Sequence, residues 1–385
     1  MRNIIFVVVC LLLLVLPVTK INQAEKSEVE NRTLASWPEI SRENLLRGQL
    51  APALEKYFED RFFGRDILLK ISYAYNTFLK EHYENDSAWV GEDNWLFYKK
   101  EDSLRLCQNM VFFKEEEYPL IQQNLTSMNQ WMTEQGIKFY MIYLPNKEDV
   151  YREYLGHHIK KRTRPEADRF SLVVDYLQQQ EAPLVPIYPL NRMLAEKKRS
   201  EALLYYKNDT HWSQYGAYIG YEALLEAIRR DFPDIEVLEP AKMDFSPRIK
   251  WEDGDLARML TLDMRQELAD TWYVAPQPQQ GWQYYVIEEQ FLQNSKVYYQ
   301  NIIHPNGKYY IHTVNPRGRY KVIVFRDSFG INLLPYLAET FNDARFYWTR
   351  DIEQYKDLMA KEKPDLVIFE SVSRYAQYSL LNNKF

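Results

Sequence analysis

Two short clusters in the 385-residue chain carry side chains able to do covalent chemistry: Asp209-Thr210-His211-Trp212 and Asp327-Ser328-Phe329. A serine hydroxyl is a weak nucleophile at its own pKa and needs a neighbouring imidazole to take its proton. The imidazole in turn needs a carboxylate that fixes its tautomer and stabilises its charged form. Asp209 and His211 stand two residues apart, so on an extended loop their side chains can pair. Each cluster alone is weak. Ser328 can serve as a helix N-cap, His211 as a buried structural histidine, and Asp209 as a cap for the helix that follows.

The pattern of elements around the clusters gives them weight. Residues 320–325 form an apolar run that predicts a buried strand leading directly into Asp327-Ser328. Residues 138–144, 184–188, 344–348 and 365–369 read as further strands. Helical spacing covers about 115–135, 167–180, 191–198, 214–230 and 352–361. Short apolar strands alternating with helices imply an α/β fold with a mainly parallel sheet covered on both faces. Ligand chemistry in such sheets gathers at the carboxyl ends of the strands, where helix N-terminal amides can also receive an oxyanion. Asn146, Lys147 and Tyr151 follow the strand at 138–144 and fall at that same edge.

SGNH-type esterases place their serine after the first strand and their Asp-x-His after the last. Here Asp209 and His211 precede Ser328. Starting the strand count at 320–325 removes the conflict: 344–348 and 365–369 become strands two and three, and 138–144 and 184–188 become four and five. Asp-x-His then follows strand five. The expected fold is therefore an SGNH-hydrolase-like three-layer α/β fold, circularly permuted. Its β-rich insertion, at about 245–316, is expected to pack beside the sheet and to roof the site.

On these residues the chain resembles the AlgJ/AlgX-like (DHHW-type) family of SGNH-hydrolase-like polysaccharide O-acetyltransferases. Further blocks that carry the resemblance are Glu30-Asn31-Arg32-Thr33-Leu34, Asp60 to Asp66, Gly91 to Tyr98, Pro145-Asn146-Lys147, Gly216-Ala217-Tyr218 and Gly254-Asp255-Leu256. The resemblance implies Ser328, His211 and Asp209 as a catalytic triad that carries an acetyl-serine. It also implies a polysaccharide acceptor and a membrane acyltransferase of the MBOAT type as acetyl donor. No metal or cofactor is implied. Arg326 stands where GDSL enzymes have glycine, and Glu370-Ser371-Val372-Ser373-Arg374 replaces their Gly-x-Asn-Asp. With that asparagine missing, Arg374 is a candidate oxyanion donor. Asp327, Trp212 and Asn146 are further candidate oxyanion or substrate contacts. An acetylesterase and a non-catalytic carbohydrate-binding assembly subunit remain alternatives.

The remaining composition sets the surroundings. The net charge of −6, with no basic stripe, argues against a nucleic-acid partner. The 30 Tyr and 9 Trp suit either sugar stacking or a bulky core. With only Cys10 and Cys107, no disulfide framework is expected. His157-His158 lacks the spacing of a metal pair. Arg2 precedes an apolar run at 4–18, which suits a signal anchor, or a signal peptide if cleaved, and predicts export of the rest. The division expected is 1–24 anchor, 25–100 helical lead-in and 101–385 catalytic domain, closer to AlgJ than to AlgX in layout.

Overall fold

Alternating apolar residues on the strand before Ser328 explain the centre of the fold. In the computed structural model, Val322 and Val324 enter one buried cluster while Ile323 and Phe325 enter another, so both faces of the strand are covered from Val322 onward. The structure describes residues 21–27, 32–62, 64–65, 67–68, 71, 84–165, 167–239, 243–244, 254–260, 275–276, 283–286, 310–383 and 385. The apolar run at 4–18 lies outside them. Among the described residues no helix is long and apolar enough to cross a membrane.

The strands needed here are, in chain order, β1 (Ala88–Val90), β2 (Leu96–Tyr98), β3 (Lys138–Leu144), β4 (Gln283–Val286), β5 (Tyr310–Val314), β6 (Arg319–Arg326), β7 (Phe341–Trp348) and β8 (Leu366–Val372). The helices needed here are α1 (Glu117–Glu134), α2 (Arg169–Gln179), α3 (Gln214–Ile228), α4 (Asp255–Met259), α5 (Gly330–Thr340) and α6 (Ala376–Asn382). The main sheet has six strands in the order β3-β8-β6-β7-β5-β4. β6 pairs in parallel with β7 and β8, and β8 in parallel with β3. Counted from β6, the parallel part reads 2-1-3-4. The switch point of such a sheet lies between β6 and β8, just beyond their carboxyl ends. Ser328 and Arg374 follow those two ends.

Helices cover both faces. α3 and α5 close one, with Ala217, Tyr221, Leu224 and Ile228 meeting Leu333, Tyr336 and Leu337 in one cluster. α1, α2 and α6 close the other through Ile121, Leu125, Met128, Met132, Phe170, Val173 and Leu380. Each fully buried side chain of this size stabilises by roughly 1.5–3 kcal/mol relative to exposure. Local signals fix where α3 begins. Ser213 Oγ accepts the Gly216 amide at 3.0 Å, so the helix starts directly behind the Asp-x-His loop. Ser213→Ala is expected to cost about 1 kcal/mol, read as a lowered thermal midpoint.

Three expectations change. Residues 184–188 form no strand; Ile187 makes only an isolated parallel bridge to Ile142. Pro183, Pro186 and Pro189 each lack an N–H, so a ladder cannot extend there. The lead-in, read as helical to about residue 89 with a turn and a short strand after it, carries one strand more: β1 pairs with β2 in a hairpin whose Trp89 and Phe97 lie in the main core. The insertion at 245–316 does not simply sit beside the sheet. β5 pairs antiparallel with β7, and β4 with β5, so these two strands extend the sheet edge.

Candidate active site

Asp209 and His211 sit on the loop before α3. Asp209 Oδ1 is 2.6 Å from His211 Nδ1 and also accepts the His211 backbone N–H at 2.9 Å. This leaves Nε2 as the free nitrogen of the ring. The His211 side chain is 24% exposed. Burial pulls its pKa down, but the charges of Asp209 and Asp255 and the bond to Asp209 outweigh it, and the net shift is upward.

Beneath the loop lies Lys147. Its buried ammonium donates to the carbonyls of Tyr206, Lys207 and Asp209, at 3.2, 3.2 and 2.8 Å. Desolvation pushes its pKa down to about 8, against partial support from Glu148, Asp255 and Asp209. Tyr151, also buried, accepts the Leu204 amide on its hydroxyl at 2.9 Å. Both groups are framework.

The Ser328 turn is joined to this loop from two sides. Trp212 Nε1 donates to the Phe329 carbonyl at 2.9 Å, and Asn332 Nδ2 donates to the Trp212 carbonyl at 2.7 Å. The His211 and Phe329 rings lie 4.9 Å apart. Ser328 is partly exposed, so its hydroxyl opens to solvent at the sheet edge. No hydrogen bond joins Ser328 to His211 among the described residues, a looseness common before a substrate is bound.

Most amides of the turn are already used. The Asp327 N–H donates to Glu370 Oε2 at 3.3 Å, and the Phe329 N–H to Asp327 Oδ1 at 2.9 Å. The Gly330 amide also acts on the Glu370 carboxylate. Glu370 is fully buried on β8, and burial together with the Asp327 charge holds it well above the usual carboxylate range. The helix N-terminus expected to receive an oxyanion is therefore occupied by the protein's own carboxylates. Among the described residues, the amide of Ser328 itself is left without an acceptor.

Gly330 exists for this packing. A Cβ there would stand 2.6 Å from both Glu370 Oε2 and Arg326 Cβ. Alanine would gain up to about 1 kcal/mol of helix propensity. The clash in a buried, hydrogen-bonded corner costs more, so Gly330→Ala is expected to destabilise by roughly 2 kcal/mol, measured by denaturant unfolding.

The other candidate contacts separate clearly. Trp212 is fully buried with its indole N–H committed, so no ring face is open to a sugar. Asp327 accepts Ser371 Oγ and the Val372 N–H on Oδ2, both at 2.9 Å, besides the Phe329 N–H on Oδ1. It staples the nucleophile turn to the end of β8. Asn146 Nδ2 donates to Asp149 Oδ2 and Ser373 Oγ at 2.9 and 3.0 Å, which fixes the turn before Arg374. All three are committed to the framework. Arg374 differs. Its Cζ lies 5.3 Å from the ring centres of both Tyr98 and Phe329. Its Nε is buried without a hydrogen-bond acceptor, with Glu101 Oε2 at 3.4 Å.

Asp255, in sequence no more than one member of the Gly254-Asp255-Leu256 block, completes the site. Its N–H donates to Asp209 Oδ2 at 3.1 Å, and its carboxylate accepts from Thr210. The ligand atoms of Asp209, His211 and Asp255 lie within 4.8 Å of one another, a spacing a metal could use. Every one of these carboxylate oxygens already accepts a protein hydrogen bond, which does not suit a cation-binding set.

A central serine turn facing an Asp-x-His loop across a 2-1-3-4 parallel sheet defines the SGNH-hydrolase-like class of α/β fold, here circularly permuted. Residues 88–287 match the family described as SGNH hydrolase-like domain, acetyltransferase AlgX, and the chain belongs to that family. By sequence it is 24% identical over 208 residues to a probable alginate O-acetylase AlgJ of Pseudomonas putida, covering 51% of this chain and 48% of that protein. A second match, to a probable alginate O-acetylase AlgJ of Pseudomonas fluorescens, is 25% identical over 234 residues and covers 57% and 52%. The chain thus spans about half the length of these relatives. Among solved structures, a DHHW family protein from Eubacterium siraeum superposes with a TM-score of 0.54 at 16% identity, over 80% of this chain and 98% of that one. Bacillus cereus PatB1, solved with a sulfonyl adduct, gives 0.51 at 16% identity over 78% and 99%.

Proposed function

We propose that this protein is an O-acetyltransferase that modifies hydroxyl groups of a cell-surface or secreted polysaccharide outside the cytoplasm. The observation that carries the reading is the Asp209–His211 pair, 2.6 Å apart and held against the turn that presents Ser328. Ser328 Oγ attacks the acetyl carbonyl carbon as His211 Nε2 takes its proton. The donor's bond to that carbon breaks, and His211 returns the proton to the leaving group. An acceptor hydroxyl then attacks the acetyl-serine, giving its proton to His211, and Ser328 leaves as the protonated alcohol. Asp209 holds the tautomer and stabilises the imidazolium. The Ser328 N–H and the Arg374 guanidinium face the developing oxyanion. Family membership supports acetyl transfer, and relatives named as alginate O-acetylases support a polysaccharide acceptor. The apolar run at 4–18 would tether the chain to the membrane beside an MBOAT-type acyltransferase that supplies acetyl.

The test is to incubate the full chain with an activated acetyl ester and a panel of oligosaccharides. The expected result is acetyl mass on Ser328 and on an acceptor sugar, both lost in Ser328→Ala. Acetate release with no acetylated sugar across the panel would identify an esterase instead. Unchanged polymer acetylation in cells expressing Ser328→Ala at normal level would identify a non-catalytic assembly subunit.

A further inference from the structure

Asp255 is an ionisable group beside the Asp209–His211 pair to which the proposed chemistry gives no part. It opens α4, some 46 residues from Asp209 in sequence, and reaches the loop because Gly254 permits it. A Cβ at Gly254 would stand 2.2 Å from the Asn208 carbonyl, so only glycine lets the helix start this close. The carboxylate is largely buried and clamped; burial and the Asp209 charge push its pKa upward, and the bonds from Thr210 oppose that. Oδ1 accepts the Thr210 N–H at 2.7 Å, and Oδ2 accepts the Thr210 hydroxyl at 2.5 Å. Two donors aimed at two oxygens suit the ionised form. The Asp255 N–H in turn donates to Asp209 Oδ2, leaving Asp209 Oδ1 for the imidazole. Asp255 Oδ2 stands 3.9 Å from His211 Nδ1, too far to replace Asp209 as partner but close enough to act through its charge.

We propose that Asp255 is the positioning residue of the Asp209–His211 pair, clamping the loop through Thr210 and lending the imidazole a second negative charge. This rests on His211 being the general base. The groups whose charge His211 feels are Asp209 from its own loop, Asp255 from α4 and Arg374 from the end of β8, the last opposing the two carboxylates. Removing Asp255's charge shifts that balance toward Arg374 and lowers the basicity of the ring.

The experiment pairs kinetics with imidazole nitrogen NMR on the full chain, with the His211 signal assigned by His211→Gln. Asp255→Asn keeps the shape and the backbone donor while removing the charge. It is expected to lower the His211 pKa by roughly 0.5–1 unit. The acid limb of kcat/KM should move to lower pH by the same amount, with kcat down about tenfold and KM little changed. A folded Asp255→Asn protein in which His211 titrates as in the parent overturns the proposal. Should that variant fail to fold, Thr210→Val tests the clamp: a several-fold fall in kcat at constant KM supports it, and unchanged kcat overturns it. Absence of acetyl transfer in the parent would defeat the functional reading alone, because the titration still reports on Asp255.

Discussion

Replacing His211 by glutamine is expected to lower turnover of an activated acetyl ester by roughly 10⁴-fold while leaving the fold intact. Glutamine can still accept or donate near Asp209, so the loop keeps a partner. It cannot take the Ser328 proton, and the hydroxyl reverts to a weak nucleophile. The pH profile of the parent carries the same information. Catalysis needs the neutral ring, and the ring's pKa is raised above its ordinary 6.5. Activity should therefore fall as pH drops through a midpoint higher than that of an unperturbed histidine. The stability effect has the opposite sense. A raised folded-state pKa means the protonated ring stabilises the fold, fully so below the unfolded value, and this is lost as pH rises through the folded value. An acid limb below the ordinary histidine value, or a His211→Gln enzyme within tenfold of the parent, would remove His211 from the chemistry.

The parts of this site that sequence alone makes legible are those written in local order. β6 is recognisable because both its faces are apolar, and the residue after it is Ser328's own turn. Asp209 and His211 are readable because a two-residue spacing is enough to pair them. The strand expected at 184–188 fails because apolar composition masks Pro186 within it and Pro183 and Pro189 beside it, whose missing amides limit the ladder. Asp255 and Glu370 fail differently. Each acts on a residue more than forty positions away, across contacts that depend on Gly254 and Gly330 having no Cβ. A glycine before a short helix looks like an ordinary boundary in sequence. Only the close approach to Asn208 shows what it is for.

The same contacts revise how charge is handled in the transition state. An empty helix N-terminus behind Ser328 would offer several amides to an oxyanion. Glu370 and Asp327 take up those of Asp327, Phe329 and Gly330 instead. These bonds hold the nucleophile turn rigid, and in the proposed reaction Arg374 would be the cation that balances the developing charge.

Lys147→Met is expected to be the most damaging change outside the reacting groups. Methionine can fill the space of the lysine stem between Trp95 and Phe97, whose ring centres lie 5.9 and 5.3 Å from Nζ. It supplies no donor, so the Tyr206 and Asp209 carbonyls lose the ammonium, while the Lys207 carbonyl, the third acceptor, keeps the Leu96 N–H. Each unsatisfied group costs about 1–3 kcal/mol, partly offset by relief of the ammonium's desolvation, so a net loss of roughly 3 kcal/mol is expected at neutral pH. Activity should fall further than stability alone explains, because the Asp209 carbonyl is one of the three and its release lets the His211 partner move. The pH dependence separates the ammonium from mere packing. The folded pKa is about 8 against an ordinary 10.5. Between those values the unfolded chain holds the proton and the folded chain does not, so deprotonation favours folding. The charged form's burden is present in full below about 8 and is relieved as pH rises toward 10.5, by about 3 kcal/mol in total. The stability gap between parent and Lys147→Met, measured by denaturant unfolding, should therefore widen across that window. A gap independent of pH would mean that Lys147 holds the loop by its shape and not by its charge.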